Sequence, residues 1–217
     1  MTRIGLILAV AAGVAVARPI PERVRSASDV VVNRQTSSAS IPRWVIDRTK
    51  CFAALRVVKA GLMWGGQGST GMVSCRTANN RWSAPSFFSV DGVTFGLQIG
   101  IQILETVMAF VTDFARDVLN HANFQVGAEL SFAAGPVGGG GGPGEMPNAH
   151  ILSYQKAVGL FAGATINGFV LSHNPRFNRQ AYGSDITPVE LLKTDGDSTV
   201  EVVQPFIETM NRYLPAN

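Results

Sequence analysis

The sequence predicts an α+β fold, in which a twisted antiparallel β-sheet or a partly closed β-barrel carries flanking N-terminal, middle and C-terminal helices. Of the 217 residues, 46% are hydrophobic and 15% are charged, a composition typical of a compact globular protein. The 23 glycines favour many tight turns between short strands over a helical bundle. Between Gly61 and Gly100, apolar runs of strand length alternate with glycine clusters and with pairs of turn-forming residues.

Strands are predicted wherever such apolar runs occur. In the first half of the chain they cover residues 51–59, 71–76, 82–90 and 93–103. The pairs Asn79-Asn80 and Asp91-Gly92 predict hairpin turns, because these residue types tolerate positive φ. Residues 124–134 alternate apolar and polar side chains, the period of a strand with one buried face. A glycine-rich loop at residues 135–147 follows, and residues 151–171 supply two more strands.

Four helices are predicted around this sheet. The first spans residues 21–34 and begins with a proline, which is favoured in the first turn of a helix. The second spans residues 112–121, and a short third helix covers residues 187–193. The last is expected to begin at Ser198, which forms a capping box with Glu201, and to bend at Pro205.

The first 17 residues have the pattern of a signal peptide. Arg3 precedes an uncharged apolar run over residues 4–16, and Ala15-Val16-Ala17 matches the small-x-small pattern of a cleavage site. The run is short for a membrane span. The sequence therefore predicts an exported protein, periplasmic or secreted, and peripheral to a membrane if it binds lipid. An uncleaved membrane anchor is the alternative.

Charge divides the rest of the chain. A basic N-terminal arm and linker cover residues 18–40, a domain covers residues 41–193, and a C-terminal helix occupies residues 194–217. Nine basic and three acidic residues between Arg18 and Lys59 give a net charge of +6, whereas the remainder, apart from Arg3, carries −4. This asymmetry favours an anionic partner for the basic segment, such as a lipid surface or an acidic polymer. A solvated surface of mixed charge is the alternative.

The two cysteines, Cys51 and Cys75, are equidistant in sequence from Met63, which lies in the expected connection between two strands. If those strands form a hairpin, the thiols lie opposite or nearly opposite each other and can form a disulfide. One disulfide suits an exported protein. Two buried free cysteines are the alternative.

No motif in the chain supports catalysis. The segment Gly66-Gln-Gly-Ser-Thr-Gly71 matches the dinucleotide fingerprint G-x-G-x-x-G, with Asp91 about 20 residues further on. That fingerprint must open onto a helix that faces the pyrophosphate, whereas the residues after Gly71 predict a strand. The three histidines lack metal-ligand spacing, and no serine stands in a G-x-S-x-G elbow. We therefore expect no enzyme activity, no cofactor and no metal. A nucleotide-using enzyme built on this loop is kept as a third hypothesis.

A series of motifs lies between residues 41 and 192. In chain order they are Val58-Lys-Ala-Gly61, Trp82-Ser-Ala-Pro-Ser-Phe87, Gly96-Leu-Gln-Ile-Gly100, Gly135-Pro-Val-Gly138, Ser153-Tyr154 and Gly159-Leu-Phe-Ala-Gly163. Taken together in this order, they resemble the SYLF domain family. The chain departs from the family at Gly139, where arginine is common. The resemblance implies a lipid-binding domain, with phosphoinositide and actin-filament binding among eukaryotic members and export among bacterial ones. It places the lipid contact in a basic N-terminal segment.

We therefore predict a non-catalytic protein that recognises anionic, phosphoinositide-like headgroups through its basic segment, with the sheet as a scaffold. The candidate headgroup residues are Arg23, Arg25, Arg43, Arg48, Lys50 and Lys59. The alternative is a structural or protein-interaction module of the cell envelope with an envelope protein partner, or an actin-binding module if the source is eukaryotic. Nucleic acid is not an expected partner, because aromatic and basic residues are not interleaved in a recognised module.

Overall fold

The computed structural model describes residues 18–121, 123–126, 131–136, 148–158, 161–163 and 169–215. The predicted signal peptide over residues 1–17 and most of the predicted glycine-rich loop lie outside the described residues, as does the side chain of Lys59. In the part that is described, no helix is both long enough and apolar enough to cross a bilayer.

Six α-helices are found in the described residues, and they include the predicted N-terminal, middle and C-terminal helices. In chain order they are α1 (Ile20–Gln35), α2 (Arg43–Ile46), α3 (Asp113–Val118), α4 (Pro175–Tyr182), α5 (Pro188–Leu191) and α6 (Gln204–Tyr213). Two 3-10 helices, Gly196–Ser198 and Glu201–Val203, connect α5 to α6.

The start of the last helix differs from its prediction. The α-helix begins at Gln204, and Pro205 lies in its first turn, where a missing N–H costs no hydrogen bond, so no bend results. The capping box is formed by Thr187 and Glu190 at α5 instead of by Ser198 and Glu201. Ser198 ends the first 3-10 helix and Glu201 begins the second, whose Val203 packs into the core.

Seven strands form one sheet. They are β1 (Cys51–Cys75), β2 (Ser86–Phe110), β3 (Asn123–Val126), β4 (Phe132–Ala134), β5 (Ile151–Val158), β6 (Phe161–Gly163) and β7 (Phe169–His173). The order β3-β7-β2-β5-β4 runs across the sheet, and β1 and β6 also pair with β2. All pairs are antiparallel except β4 with β5. The predicted α+β class is therefore confirmed; the sheet is open, and its one parallel pair makes it mixed.

The strands β1 and β2 form a long hairpin around which the sheet is built. Their register runs from Cys51 opposite Phe110 to Val73 opposite Ser86, with one irregularity between Leu62 and Trp64. The predicted Asn79-Asn80 turn connects them, and Asn80 has a φ of 57°. Asparagine tolerates this left-handed conformation better than most residues, so the turn follows directly from local sequence.

Two predicted strand breaks are wrong. Both β1 and β2 are 25 residues long, and they run through the glycine cluster and through Asp91-Gly92 without a turn. These two stretches pair with each other, since Gly68 lies opposite Asp91 and Gln67 opposite Gly92. A long-range partner therefore outweighs the local turn preference. The G-x-G-x-x-G segment lies inside β1, and the strand continues past it to Cys75, unlike the turn of a dinucleotide site.

The hairpin is coiled so strongly that the two ends of β1 meet. Twenty-four residue steps of an extended strand would span about 80 Å, yet the Cα atoms of Cys51 and Cys75 are 3.9 Å apart. The Arg76 N–H donates to the Lys50 carbonyl at 2.7 Å beside them. The two cysteines form a disulfide, joining the ends of one strand instead of opposite positions in a hairpin that turns at Met63.

The core lies on both faces of the sheet. On one face, Val24, Ala27 and Val30 of α1 pack with Phe206 and Met210 of α6 over the strands. The other face buries the disulfide together with side chains of α3 and with Leu192, which follows α5. The residues predicted as an arm thus contribute α1 to the main core, and the division into arm, domain and C-terminal helix stays a prediction.

Candidate functional site

Arg23 lies at the N-terminal end of α1 and is only 7% exposed. Its Nε donates to the Arg18 carbonyl and its Nη1 donates to Thr70 Oγ1 on β1, both at 2.8 Å. Its guanidinium also lies 4.0 Å from the centre of the Phe177 ring on α4. Hydrogen bonds from a charged group and cation–π contacts each contribute about 0.5 to 3 kcal/mol. Arg23 therefore ties three segments of the fold together, in addition to any contact with a partner.

Two further arginines surround this residue. Burial, followed by the charges of Arg18 and Arg176, lowers the pKa of Arg23. The side chains of Arg18 and Arg176 are exposed, and so is Arg25 two residues along α1. We call Arg18, Arg23, Arg25 and Arg176 the α1 basic cluster. It brings Arg176 of α4 together with cations at the start of α1, and charge counting did not find Arg176 because it lies outside the basic segment.

Of the other predicted headgroup residues, Arg43 is the first residue of α2, Arg48 and Lys50 lie between α2 and β1, and Lys59 lies in β1. Arg43 Nε forms a salt bridge with Asp47 Oδ1 at 2.8 Å, and Lys50 Nζ forms one with Asp113 Oδ1 at 3.2 Å. Arg48 is exposed. Exposed pairs of this kind contribute about 0 to 1 kcal/mol and open readily to solvent or to a partner.

Arg76, which follows β1, lies beside residues 43–50. Its guanidinium lies 3.8 Å from the centre of the Trp82 ring, and its Nη2 donates to the Pro215 carbonyl at 3.2 Å. Burial lowers the pKa of Arg76 to about 10, with Asp47 raising it and Arg43 lowering it further. Arg76 holds the hairpin turn against the C-terminus, a role that no local sequence signal indicated.

A serine and a histidine lie close together inside the domain without forming a nucleophilic site. His173 Nε2 lies 2.6 Å from the Leu119 carbonyl oxygen and therefore carries the proton, which leaves Nδ1 to accept from Ser86 Oγ at 3.3 Å. A neutral carbonyl thus occupies the position that a carboxylate holds in a catalytic triad. Ser86 is fully buried, and burial lowers the pKa of His173. This arrangement fits the core of a folded domain.

Across the residues that the structure describes, no three histidine, cysteine or acidic side chains converge as ligands.

Comparison with known proteins identifies the family of the chain. A family model described as "Ysc84: Las17-binding protein actin regulator" matches residues 91–213. The human SH3 domain-containing YSC84-like protein 1 is 30% identical over 187 residues, which cover 82% of this chain and 55% of the human protein. No solved structure matches the chain.

Two yeast proteins are similar over slightly shorter regions. An SH3 domain-containing protein of Schizosaccharomyces pombe is 36% identical over 170 residues, covering 73% of this chain and 39% of that protein. Protein YSC84 of Saccharomyces cerevisiae is 28% identical over 157 residues, covering 70% of this chain and 34% of that protein. The chain thus spans about half the length of the human relative and less of the two yeast proteins.

These findings correct one prediction and confirm another. The relatives are eukaryotic proteins, and the family description concerns actin, a filament of the cell interior, so the predicted periplasmic or secreted location is wrong. The predicted likeness to the SYLF domain is confirmed, because the matching family and the matching relatives carry the Ysc84 name. The chain belongs to the Ysc84 family, the family of the SYLF domain.

Proposed function

We propose that this chain is a non-catalytic binding module that attaches to actin filaments. The observation that carries the proposal is the match of residues 91–213 to a family described as an actin regulator. The similarity to the human protein over 82% of the chain supports it as well. The family description also names Las17, so a protein of that type is a further expected partner.

The α1 basic cluster is the surface we assign to this contact. Arg18, Arg25 and Arg176 are exposed there, and Arg23 fixes the geometry of the surrounding backbone. Clustered cations attract an acidic partner at long range and raise the rate of association. An acidic face of a filament is a complementary surface for this cluster.

An anionic membrane surface is the second candidate partner. The basic segment from Arg18 to Lys59 carries a net charge of +6, and it follows directly on the apolar run of residues 4–16. Apolar residues beside clustered arginines suit the interface of an anionic bilayer. In this candidate function Arg25, Arg43, Arg48, Lys50 and Lys59 contact headgroups, and the sheet serves as the scaffold.

Co-sedimentation separates the two candidates. The protein is spun with actin filaments, with vesicles of phosphatidylcholine alone, and with vesicles that also contain an anionic phosphoinositide. The cluster variant replaces three arginines by serine: Arg18→Ser, Arg25→Ser and Arg176→Ser. A matched control removes three exposed cations on other elements: Arg81→Ser, Lys193→Ser and Arg212→Ser.

We expect the cluster variant to bind filaments about tenfold or more weakly than the control, since each cation near an anionic surface contributes about 1 kcal/mol. Binding to anionic vesicles alone would replace the actin proposal by the lipid one. Equal binding by the cluster variant and the control would reject the α1 basic cluster as the contact surface.

A further inference from the structure

A buried polar cluster lies between α1 and the sheet, away from the α1 basic cluster. It consists of Arg34 in the last turn of α1, Arg56 on β1, Glu105 on β2 and Tyr154 on β5. The strand register places Arg56 directly opposite Glu105, and Tyr154 lies two residues from Lys156, the other partner of Glu105. Arg56, Glu105 and Tyr154 therefore share the face of the sheet on which α1 packs, and Arg34 of α1 lies close enough for Tyr154 and Glu105 to raise its pKa against the lowering by burial. We call this set the Arg34–Tyr154 cluster.

The cluster has more hydrogen-bond donors than it uses. Arg34 Nη2, Arg56 Nε and Tyr154 Oη are buried without a hydrogen-bond partner, and they are three of the six such side-chain atoms in the described residues. Arg34 is 8% exposed and Tyr154 is 2% exposed. Leaving a buried donor unpaired is costly, so each such atom in a folded protein requires an explanation.

Each carboxylate oxygen of Glu105, the acidic residue of the cluster, already has one partner. Glu105 Oε1 pairs with Arg56 Nη2 at 3.3 Å, and Oε2 accepts from Asn33 Nδ2 at 3.1 Å. Arg34 Nη1 donates to the Ala39 carbonyl at 3.2 Å, which leaves Nη2 for another acceptor. Burial raises the pKa of Tyr154, so its phenol keeps a proton at neutral pH and is a donor. Two arginines against one glutamate also leave a positive charge.

One edge of the cluster is open to solvent. The Arg56 side chain is 34% exposed, and Asn33 and Lys156 are exposed beside it. On the opposite side the phenol is enclosed by backbone, because a Cβ on Gly135 would lie 2.5 Å from Tyr154 Oη. A small ligand can therefore approach past Arg56 and Lys156, two cations that would attract an anion.

We propose that the Arg34–Tyr154 cluster binds one phosphate-type oxyanion, which accepts hydrogen bonds from Arg34 Nη2, Arg56 Nε and Tyr154 Oη. Guanidinium groups bind phosphate oxygens in this manner, and a phenol adds a neutral donor that fixes orientation. The phosphate belongs either to free inorganic phosphate or to a phosphomonoester headgroup. The inference does not depend on actin binding, because none of these residues belongs to the α1 basic cluster.

The variant Tyr154→Phe tests this site with little risk to the fold, since it removes only a hydroxyl that has no partner. The matched control is Tyr182→Phe, which removes a hydroxyl that donates to the Pro85 carbonyl at 2.6 Å. Thermal unfolding and isothermal calorimetry are measured in sodium chloride at constant ionic strength, with added inorganic phosphate in one arm and a short-chain phosphatidic acid in the other.

We expect saturable stabilisation of the native protein and of the Tyr182→Phe control, and an affinity about tenfold to a hundredfold lower for Tyr154→Phe. A response to inorganic phosphate assigns the site to the free ion, and a response to the lipid alone assigns it to a headgroup. Equal responses of Tyr154→Phe and the control, or none in the native protein, overturn the proposal. A second variant, Arg56→Gln, is expected to weaken binding in the same arm.

Discussion

Replacing Gly71 with alanine tests the coiling of β1, because Gly71 is where the two ends of that strand cross. A Cβ at this position would overlap Leu55 Cδ2 and the Ala54 carbonyl oxygen, and it would lie 2.9 Å from Leu55 Cγ. The leucine side chain can rotate away, but the carbonyl belongs to the ladder that pairs Ala54 with Val107. Relief of the overlap therefore requires the two ends of β1 to move apart.

The expected cost can be stated from the type of contact. Inserting a methyl group into a packed core costs about 1 to 3 kcal/mol, and overlap with backbone places Gly71→Ala near 3 kcal/mol. For a chain of this length, that corresponds to a fall in Tm of about 6 to 12 °C. Urea unfolding followed by circular dichroism measures the change in the free energy of unfolding.

Two companion variants separate steric overlap from other effects. Gly183→Ala replaces a glycine that has φ 70° and open space around it, so it should cost about 1 kcal/mol through the backbone alone. The double variant Leu55→Ala/Gly71→Ala should be less destabilised than the sum of the two single variants, by a coupling free energy of about 0.5 to 3 kcal/mol. A Gly71→Ala protein within about 0.5 kcal/mol of the native one would falsify the crossing of the strand ends.

Three further predictions concern contacts that hold the β1–β2 hairpin to the rest of the fold. Cys75→Ser opens a loop with a sequence separation of 24, and should lower the free energy of unfolding by about 3 kcal/mol in non-reducing buffer. The pKa of Asp195 is lowered first by a hydrogen bond from Thr77, so its stabilisation is present above the ordinary carboxyl pKa and is lost as pH falls through the folded value. Asp195→Asn should therefore reduce the change in the free energy of unfolding, measured with urea, between about pH 4 and pH 2. Arg23→Met should cost about 2 kcal/mol in unfolding free energy, whereas Arg25→Met should change it by less than about 0.5 kcal/mol; equal losses would contradict the structural role of Arg23.

Local signals predicted those parts of the fold that depend on near neighbours in sequence. The spacing of Val24, Ala27 and Val30 predicted α1, and the Asn79-Asn80 pair predicted the hairpin turn. The break expected at Asp91-Gly92 was wrong because these residues pair with a segment of β1 more than 20 residues away. The hydrogen bonds of that pairing keep the strand extended where the local residues favour a turn.

The candidate site shows the same division. Charge counting found the basic segment and therefore Arg23 and Arg25, but one is buried and the other is exposed. Arg176 joins them only because α4 packs against α1. The unpaired donors of Arg34 and Tyr154 could not be recognised before the register of the sheet placed them on one face.

By itself, the sequence determined the α+β class, the hydrophobic faces of the helices, the basic N-terminal segment and the family likeness. Only the tertiary structure decided that β1 closes on itself at Cys51 and Cys75, and which cations are buried and which are exposed. The physical reason is that residue type and spacing set local conformation and total charge. Strand register and burial depend on contacts between residues far apart in the chain, and the free energy of those contacts cannot be predicted from local sequence patterns.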